Sequence, residues 1–105
     1  MKNNTNGTMD AGVQKVTNRY LYNGIYVDEK FLSMIKKHLH NRAPMLSRGV
    51  KFELKQICGK EFWGELSRAE CILAGKCMVY LEMNRLVPFE RVGCIHESPK
   101  RYRRL

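Results

Sequence analysis

Hydrophobic residues are sparse at the start of the chain and then recur with spacings that predict short strands and helices. Residues 1–18 are rich in Asn, Thr and Gly and show no hydrophobic period, which predicts a flexible tail. Aromatic and β-branched residues then flank Asn23-Gly24, a dipeptide that favours the positive φ angles of a two-residue turn. We therefore expect a β-hairpin over residues 19–27.

The first helix is predicted over residues 28–41. Asp28 is suited to accept hydrogen bonds from the free N–H groups at a helix start, and Pro44 is incompatible with continuation of the helix. Between them, apolar residues recur at helical spacing at Phe31, Leu32, Ile35 and Leu39. This spacing gives the helix one apolar face for a core.

Two further helical segments meet at Leu66. The segment 56–66 has apolar residues at roughly helical spacing, but it contains two glycines. Each glycine lowers helix stability by about 1 kcal/mol relative to Ala, so we expect a short or irregular helix. Ser67 and Glu70 are spaced as a capping box, in which each side chain accepts from the backbone N–H of the other. They predict a helix that runs from Ser67 to about Arg85.

Strands account for the remaining apolar segments. The segment Val50–Lys55 alternates apolar and charged residues, which predicts a half-buried strand. Two short strands are expected over residues 87–94 and 101–105, joined by a loop at His96–Pro99. The predicted architecture is one α+β domain over residues 19–105, with about three helices, an N-terminal hairpin and a short C-terminal β-hairpin.

After the first hairpin, the predicted order is helix, strand, helix, tight turn, helix and two-stranded hairpin, and this order resembles a winged helix-turn-helix domain. The resemblance rests on the Leu66-Ser67 turn, the capped helix that follows it, and two segments that would form the wing, Phe89–Gly93 and Lys100–Leu105. The segment Glu61–Tyr102 also resembles small proteins of bacterial phages and mobile elements. The resemblance implies a small transcriptional regulator whose second turn-helix enters the DNA major groove.

The charge of the chain indicates an acidic partner. Lys and Arg number 19 against 10 Asp and Glu, so the formal net charge is +9, and nucleic acid is a common partner of such basic proteins. Residues 61–97 carry four basic and six acidic side chains, while residues 98–105 carry four basic and no acidic ones. We therefore expect binding to DNA, or to RNA, mainly through phosphate contacts.

Nine basic residues are candidates for these contacts. The resemblance places Arg68 and Lys76 on the helix that would enter the major groove, about 80° apart around its axis. The expected wing and C-terminal segment contribute Arg91, Lys100, Arg101, Arg103 and Arg104, and the first helix contributes Lys36 and Lys37. However, Ile72, Val79 and Met83 occupy positions where a base-reading helix carries polar groups, so we expect weak sequence preference.

The same apolar positions support a second hypothesis, a protein-interaction module on a winged-helix scaffold that binds another protein or a second copy of the chain. Exposure of Ile72, Val79 and Met83 together would favour it. Trp63 and Phe62 are expected to anchor the core between the helices, and base stacking is the alternative role of Trp63.

The sequence lacks the motifs of catalytic or metal chemistry. Its four cysteines are expected to be buried apolar side chains, and no pair has the two-residue gap of a zinc knuckle. His96 beside Cys94 is the only local hint of a nucleophilic thiol, so we expect no enzyme, no metal and no cofactor. The polar N-terminus lacks signal-peptide features, and no apolar run reaches the roughly 18 residues of a membrane span. We therefore expect a cytoplasmic protein without membrane contact.

Overall fold

Two small antiparallel sheets and four helices form the α+β fold of this chain, in a computed structural model that describes residues 17–94, 96 and 98–105. The elements are β1 (Asn18–Tyr22), β2 (Ile25–Asp28), α1 (Glu29–Arg42), a 3-10 turn (Ala43–Met45), β3 (Lys51–Glu53), α2 (Leu54–Cys58), α3 (Lys60–Gly64), α4 (Arg68–Met83), β4 (Phe89–Val92) and β5 (Arg101–Arg104). The α+β class expected from the sequence is confirmed.

The N-terminal hairpin forms around the predicted turn. Asn23 and Gly24 have φ angles of 49° and 76°, and β1 pairs with β2 from Asn18↔Asp28 to Tyr22↔Ile25. The first strand thus begins at Asn18, within the predicted tail. Most of that predicted tail, residues 1–16, lies outside the described residues.

Helix α1 begins and ends close to its predicted limits because both signals are local. Asp28 Oδ1 accepts a hydrogen bond from the backbone N–H of Lys30 at 3.0 Å, and Pro44 lies in the 3-10 turn that follows Arg42. The apolar face of α1 buries Leu32, Ile35 and Leu39.

The segment 50–64 is divided differently from the prediction. The predicted strand Val50–Lys55 is shorter, because the backbone N–H of Glu53 donates to Gln56 Oε1 at 2.8 Å and a helix begins at Leu54. The irregular helix expected next is two short helices, α2 and α3, separated by Gly59 at φ 90°. A Cβ on Gly59 would lie 3.3 Å from the Arg42 guanidinium, so both its φ and its surroundings favour glycine.

Helix α4 is held at its start by the predicted capping box. Ser67 N donates to Glu70 Oε1 at 2.8 Å, and Glu70 N donates to Ser67 Oγ at 3.1 Å. The helix ends at Met83, two residues before the predicted limit, because Asn84 Nδ2 donates to the Tyr80 carbonyl oxygen and Arg85 adopts a φ of 55°.

The second sheet has three strands in the order β3-β5-β4, so the expected C-terminal hairpin is joined by the earlier strand β3. Strand β5 is central, with Tyr102 opposite both Phe52 and Arg91. Since side chains alternate along a strand, Tyr102 and Arg104 lie on one face of the sheet and Arg101 and Arg103 on the other.

The core lies between α1, α2, α4 and the inner face of this sheet. Its largest fully buried side chains are Ile35, Leu39, Ile57, Cys77, Met78, Leu81 and Phe89. Burial of a large apolar side chain contributes roughly 1.5–3 kcal/mol, so these contacts are a major stabilising contribution to a domain of this size. Phe62 and Trp63 pack against the core while staying partly exposed, as expected of an anchor between the helices.

Candidate nucleic-acid interface

The basic C-terminal segment forms the central strand of the second sheet. Arg103 Nε donates to Glu90 Oε2 on β4 at 2.8 Å, and the two side chains form an ion pair. Arg104 Nη1 donates to the carbonyl oxygen of Leu46 at 3.2 Å. Arg101 lies opposite Glu53 on the outer face of the sheet. These arginines lie close together in the sequence but are divided between two faces of the sheet.

Arg91 lies near two tyrosines of the core. Burial raises the pKa of Tyr102 to about 12 and also raises that of Tyr22, while the positive charge of Arg91 acts in the opposite direction on both. Arg91 is half-buried and lies on the same face of the sheet as Tyr102. Its position differs from that of an exposed phosphate-binding residue on a wing.

A cleft of about 340 Å³, here called the α4 cleft, lies between helix α4, the start of α2 and the residues that precede β5. Lysines from these three parts of the chain contribute to its lining: Lys55 from α2, Lys76 from α4 and Lys100 from the segment before β5. The apolar part of the lining includes Trp63, Ile72 and Val79. Glu53 is the one acidic residue among its described lining residues.

A second cleft of about 320 Å³, here called the α3 cleft, shares Trp63 and Lys55 with the first one. Lys60 and Gly59 are among the residues that complete its lining. Trp63 therefore contributes to two neighbouring clefts, and each has lysines in its lining.

Of the predicted contacts, the structure brings Lys76 and Lys100 together at the α4 cleft. Arg68 is exposed near the start of α4 but does not line either cleft, and Lys36 and Lys37 are exposed on α1, also outside both. Lys55 and Lys60 are not among the contacts predicted from the sequence. Lys55 looked like the end of an alternating strand, and no local pattern marked Lys60.

Helix α4 presents a mainly apolar stripe beside the α4 cleft. Ile72 is 58% exposed and Met83 is 57% exposed, while Val79 is half-buried. At 100° per residue these three positions and Lys76 fall within about 60° of one another. The stripe therefore offers one charge and no amide or hydroxyl group to the edges of base pairs.

The two histidines of α1 bind backbone atoms of neighbouring segments. His38 Nε2 donates to the Cys58 carbonyl oxygen at 2.7 Å, and its ring stacks on Phe62 with ring centroids 3.7 Å apart. His40 Nε2 donates to the carbonyl oxygen of Leu86 at 2.9 Å. These contacts, together with the hydrogen bond from Arg42 Nε to the Ile57 carbonyl oxygen, hold α1 against the α2–α3 turn and the end of α4.

The cysteines differ in their surroundings. Burial raises the pKa of the Cys58 and Cys77 thiols to about 12, so both are protonated at neutral pH. Cys71 is half-buried, and Cys94 is exposed, contrary to the expectation that all four are buried. Within the described residues, no group of three or more His, Cys, Asp or Glu side chains is arranged to hold a metal ion.

Comparison with known proteins adds no relative: the chain matches no protein-family model, no curated protein and no solved structure. Among the helices of the described residues, none has the length and apolar character that crossing a membrane requires. The inference of function therefore rests on the geometry of the two clefts.

Proposed function

We propose that this protein binds nucleic acid, with phosphate groups held by the lysines around the α4 cleft. The observation that carries the proposal is the convergence of Lys55, Lys76 and Lys100 from three separate elements around one cleft. None of their side-chain ammonium groups forms a hydrogen bond or ion pair with the described part of the chain. Among the described residues, therefore, no ion pair competes with an external anion for these ammonium groups.

The overall charge supports a polyanionic ligand rather than a single small anion. A protein with a formal net charge of +9 attracts a polyanion over several ångströms, and each phosphate that it neutralises releases a counterion. Lys60 extends the basic surface past Trp63 into the α3 cleft. The linings of the two clefts together contain four lysines that a nucleic-acid backbone could contact.

The order of the elements supports a winged-helix scaffold for this interface. After the N-terminal hairpin come a helix, a strand, two short helices, a long helix and a hairpin, which is the order on which the resemblance rests except that two short helices replace one. In such a scaffold α4 would be the recognition helix, and β4 with β5 would be the wing. The α4 cleft lies between these two elements, where the scaffold meets its ligand.

The proposal is tested by fluorescence anisotropy with labelled DNA, titrated from about 50 mM to about 200 mM salt. We expect binding that weakens with salt, and a double variant Lys55→Ala/Lys76→Ala that lowers the salt slope on duplex DNA by about 1.8. Lys36→Ala/Lys37→Ala is the matched control, since it removes the same charge outside both clefts. Absence of binding at low salt, or equal effects of the two double variants, would contradict the proposal.

A protein partner is the second candidate, favoured by the exposure of Ile72 and Met83 on one stripe of α4. Contiguous apolar surface of this kind is typical of an interface. Sedimentation velocity over a range of concentrations tests the simplest case, a homodimer. Self-association that Met83→Lys abolishes and that added salt leaves unchanged would support it.

A further inference from the structure

Trp63 lines both clefts, and its backbone is held by hydrogen bonds to neighbouring residues. The backbone N–H of Trp63 donates to the Gly59 carbonyl oxygen at 3.0 Å, and the Trp63 carbonyl oxygen accepts from Leu66 N at 3.2 Å. The side chain is partly buried against the core and lines both clefts. An aromatic ring that is already packed against the core presents apolar surface to a ligand with a smaller loss of side-chain entropy than a fully exposed ring.

The α4 cleft has room for a small ligand. Its volume of about 340 Å³ is within the range of about 300–1,000 Å³ found for small-molecule pockets, and its lining includes Trp63, Ile72 and Val79. A nucleobase is a flat group that suits an apolar cleft beside an aromatic ring. In a duplex the bases are paired and stacked inside, so only an unpaired nucleotide can place its base there.

Lysines accompany Trp63 in the lining of both clefts. Aromatic side chains with a positively charged groove that follows the backbone are the shared features of single-strand-binding proteins. Here the lysines of the two clefts lie around Trp63, and the apolar stripe of α4 lacks the polar side chains that read a duplex in the major groove. The same surface is therefore better suited to unpaired bases than to base-pair edges.

We propose that the preferred ligand is single-stranded nucleic acid and that one of its bases stacks against Trp63 in the α4 cleft. This inference rests on the proposed nucleic-acid function and specifies its ligand. Lys55, Lys76 and Lys100 bind the phosphates on either side of the stacked base.

The experiment uses the full chain with two labelled probes, an oligothymidine of about 15 nucleotides and a duplex of similar length. Trp63 is the only tryptophan of the chain, so a change in tryptophan emission on binding reports on this residue alone. We expect the single strand to bind about 5-fold more tightly than the duplex, or better, and to quench the emission of Trp63.

Substitution at Trp63 tests the stacking contact separately. Trp63→Ala is expected to weaken single-strand binding by about 5-fold to 150-fold, and Trp63→Phe, which keeps a ring, to restore most of the affinity. Circular dichroism establishes whether each variant folds. The emission experiment on the unaltered protein gives a decision even if Trp63→Ala does not fold.

The outcomes separate this inference from the proposed function. Duplex binding as tight as single-strand binding, or single-strand binding without quenching, overturns the inference and leaves the proposed function in place. Failure of both probes to bind at low salt overturns both. A polyglutamate peptide that quenches Trp63 as strongly as the oligonucleotide would overturn the inference in favour of an acidic protein ligand.

Discussion

The central strand of the second sheet and the two clefts carry their basic residues in different ways. On β5, Arg103 is paired with Glu90 and Arg104 donates to the carbonyl oxygen of Leu46. Around the clefts, the ammonium groups of four lysines make no hydrogen bond or ion pair within the part of the chain that the structure describes: Lys55, Lys60, Lys76 and Lys100. The basic residues of the strand thus contribute contacts to the fold, while the ammonium groups of the cleft lysines have no such contact among the described residues.

This difference follows from secondary structure. Consecutive residues of a strand point to opposite faces, so the run of arginines on β5 cannot act as one patch. Lys55, Lys76 and Lys100 are far apart in sequence, yet two helices and a loop bring them to one cleft. The density of charge along a sequence is therefore a weaker guide to a binding surface than the places where elements meet.

The largest effect that the comparison predicts is the loss of the buried aromatic side chain on β5. Tyr102 is 2% exposed, and Tyr102→Ala leaves a cavity below the central strand. We expect the free energy of unfolding to fall by about 3–5 kcal/mol in urea denaturation. A loss of less than about 1 kcal/mol would mean that β5 is not the structural strand described above.

Alkaline pH is expected to lower the free energy of unfolding. Burial raises the pKa of Tyr102 from 10.0 to about 12 and the pKa of Cys77 from 9.0 to about 12. Because the folded state favours the neutral forms of both side chains, their contribution to the free energy of unfolding is fully present below the pKa values of the unfolded state. It is lost as pH rises through the folded ones.

Urea denaturation at a series of pH values should therefore show stability falling between about pH 9 and pH 12. Tyr102→Phe removes one ionisable group and should flatten the part of the curve above about pH 10. If the variant and the wild type lose stability in parallel over that interval, the buried hydroxyl is not part of the effect.

Gly59 forms the turn between α2 and α3 and also lines the α3 cleft. Its φ of 90° and the guanidinium of Arg42 both oppose a side chain. Gly59→Ala is expected to cost about 1–3 kcal/mol of stability, measured by thermal or urea unfolding. Gly64→Ala is the matched control, since a Cβ at Gly64 meets no atom within 4 Å. Equal losses in the two variants would contradict the role assigned to Gly59.

The smallest predicted effect is on the outer face of the sheet. The Arg103–Glu90 ion pair is solvent-exposed, with side-chain exposures of 44% and 40%, and such pairs contribute about 0–1 kcal/mol. Arg103→Ala should therefore lower the unfolding free energy by less than about 1 kcal/mol. A loss well above that value would show that the outer face contributes more to the fold than an exposed pair does.

The sequence was sufficient for the elements that local signals define. Asp28 marks the start of α1 and Pro44 its end, Asn23-Gly24 makes the hairpin turn, and Ser67 with Glu70 starts α4. Each of these signals acts over a few residues, and hydrogen bonding or backbone conformation alone fixes the result.

Features that depend on contacts between distant parts of the chain could not be predicted from such local signals. The pairing of β3 with β5 joins residues about 50 positions apart, and it changes the C-terminal hairpin into a three-stranded sheet. Lys55 was interpreted as the last residue of a strand, although it lies in the first turn of α2 and lines the α4 cleft. The candidate site thus combined two predicted residues, Lys76 and Lys100, with others that only the fold identifies.

The most direct test of the account compares the salt dependence of oligonucleotide binding in two double variants of equal charge. Lys55→Ala/Lys76→Ala removes two cleft lysines, and Arg101→Ala/Arg103→Ala removes two arginines from the outer face of β5. We predict that the cleft variant lowers the slope of log affinity against log salt by about 1.4 on a single strand, while the strand variant stays near the wild-type slope. The reverse result would contradict the account, because it would assign the phosphate contacts to the basic residues of β5.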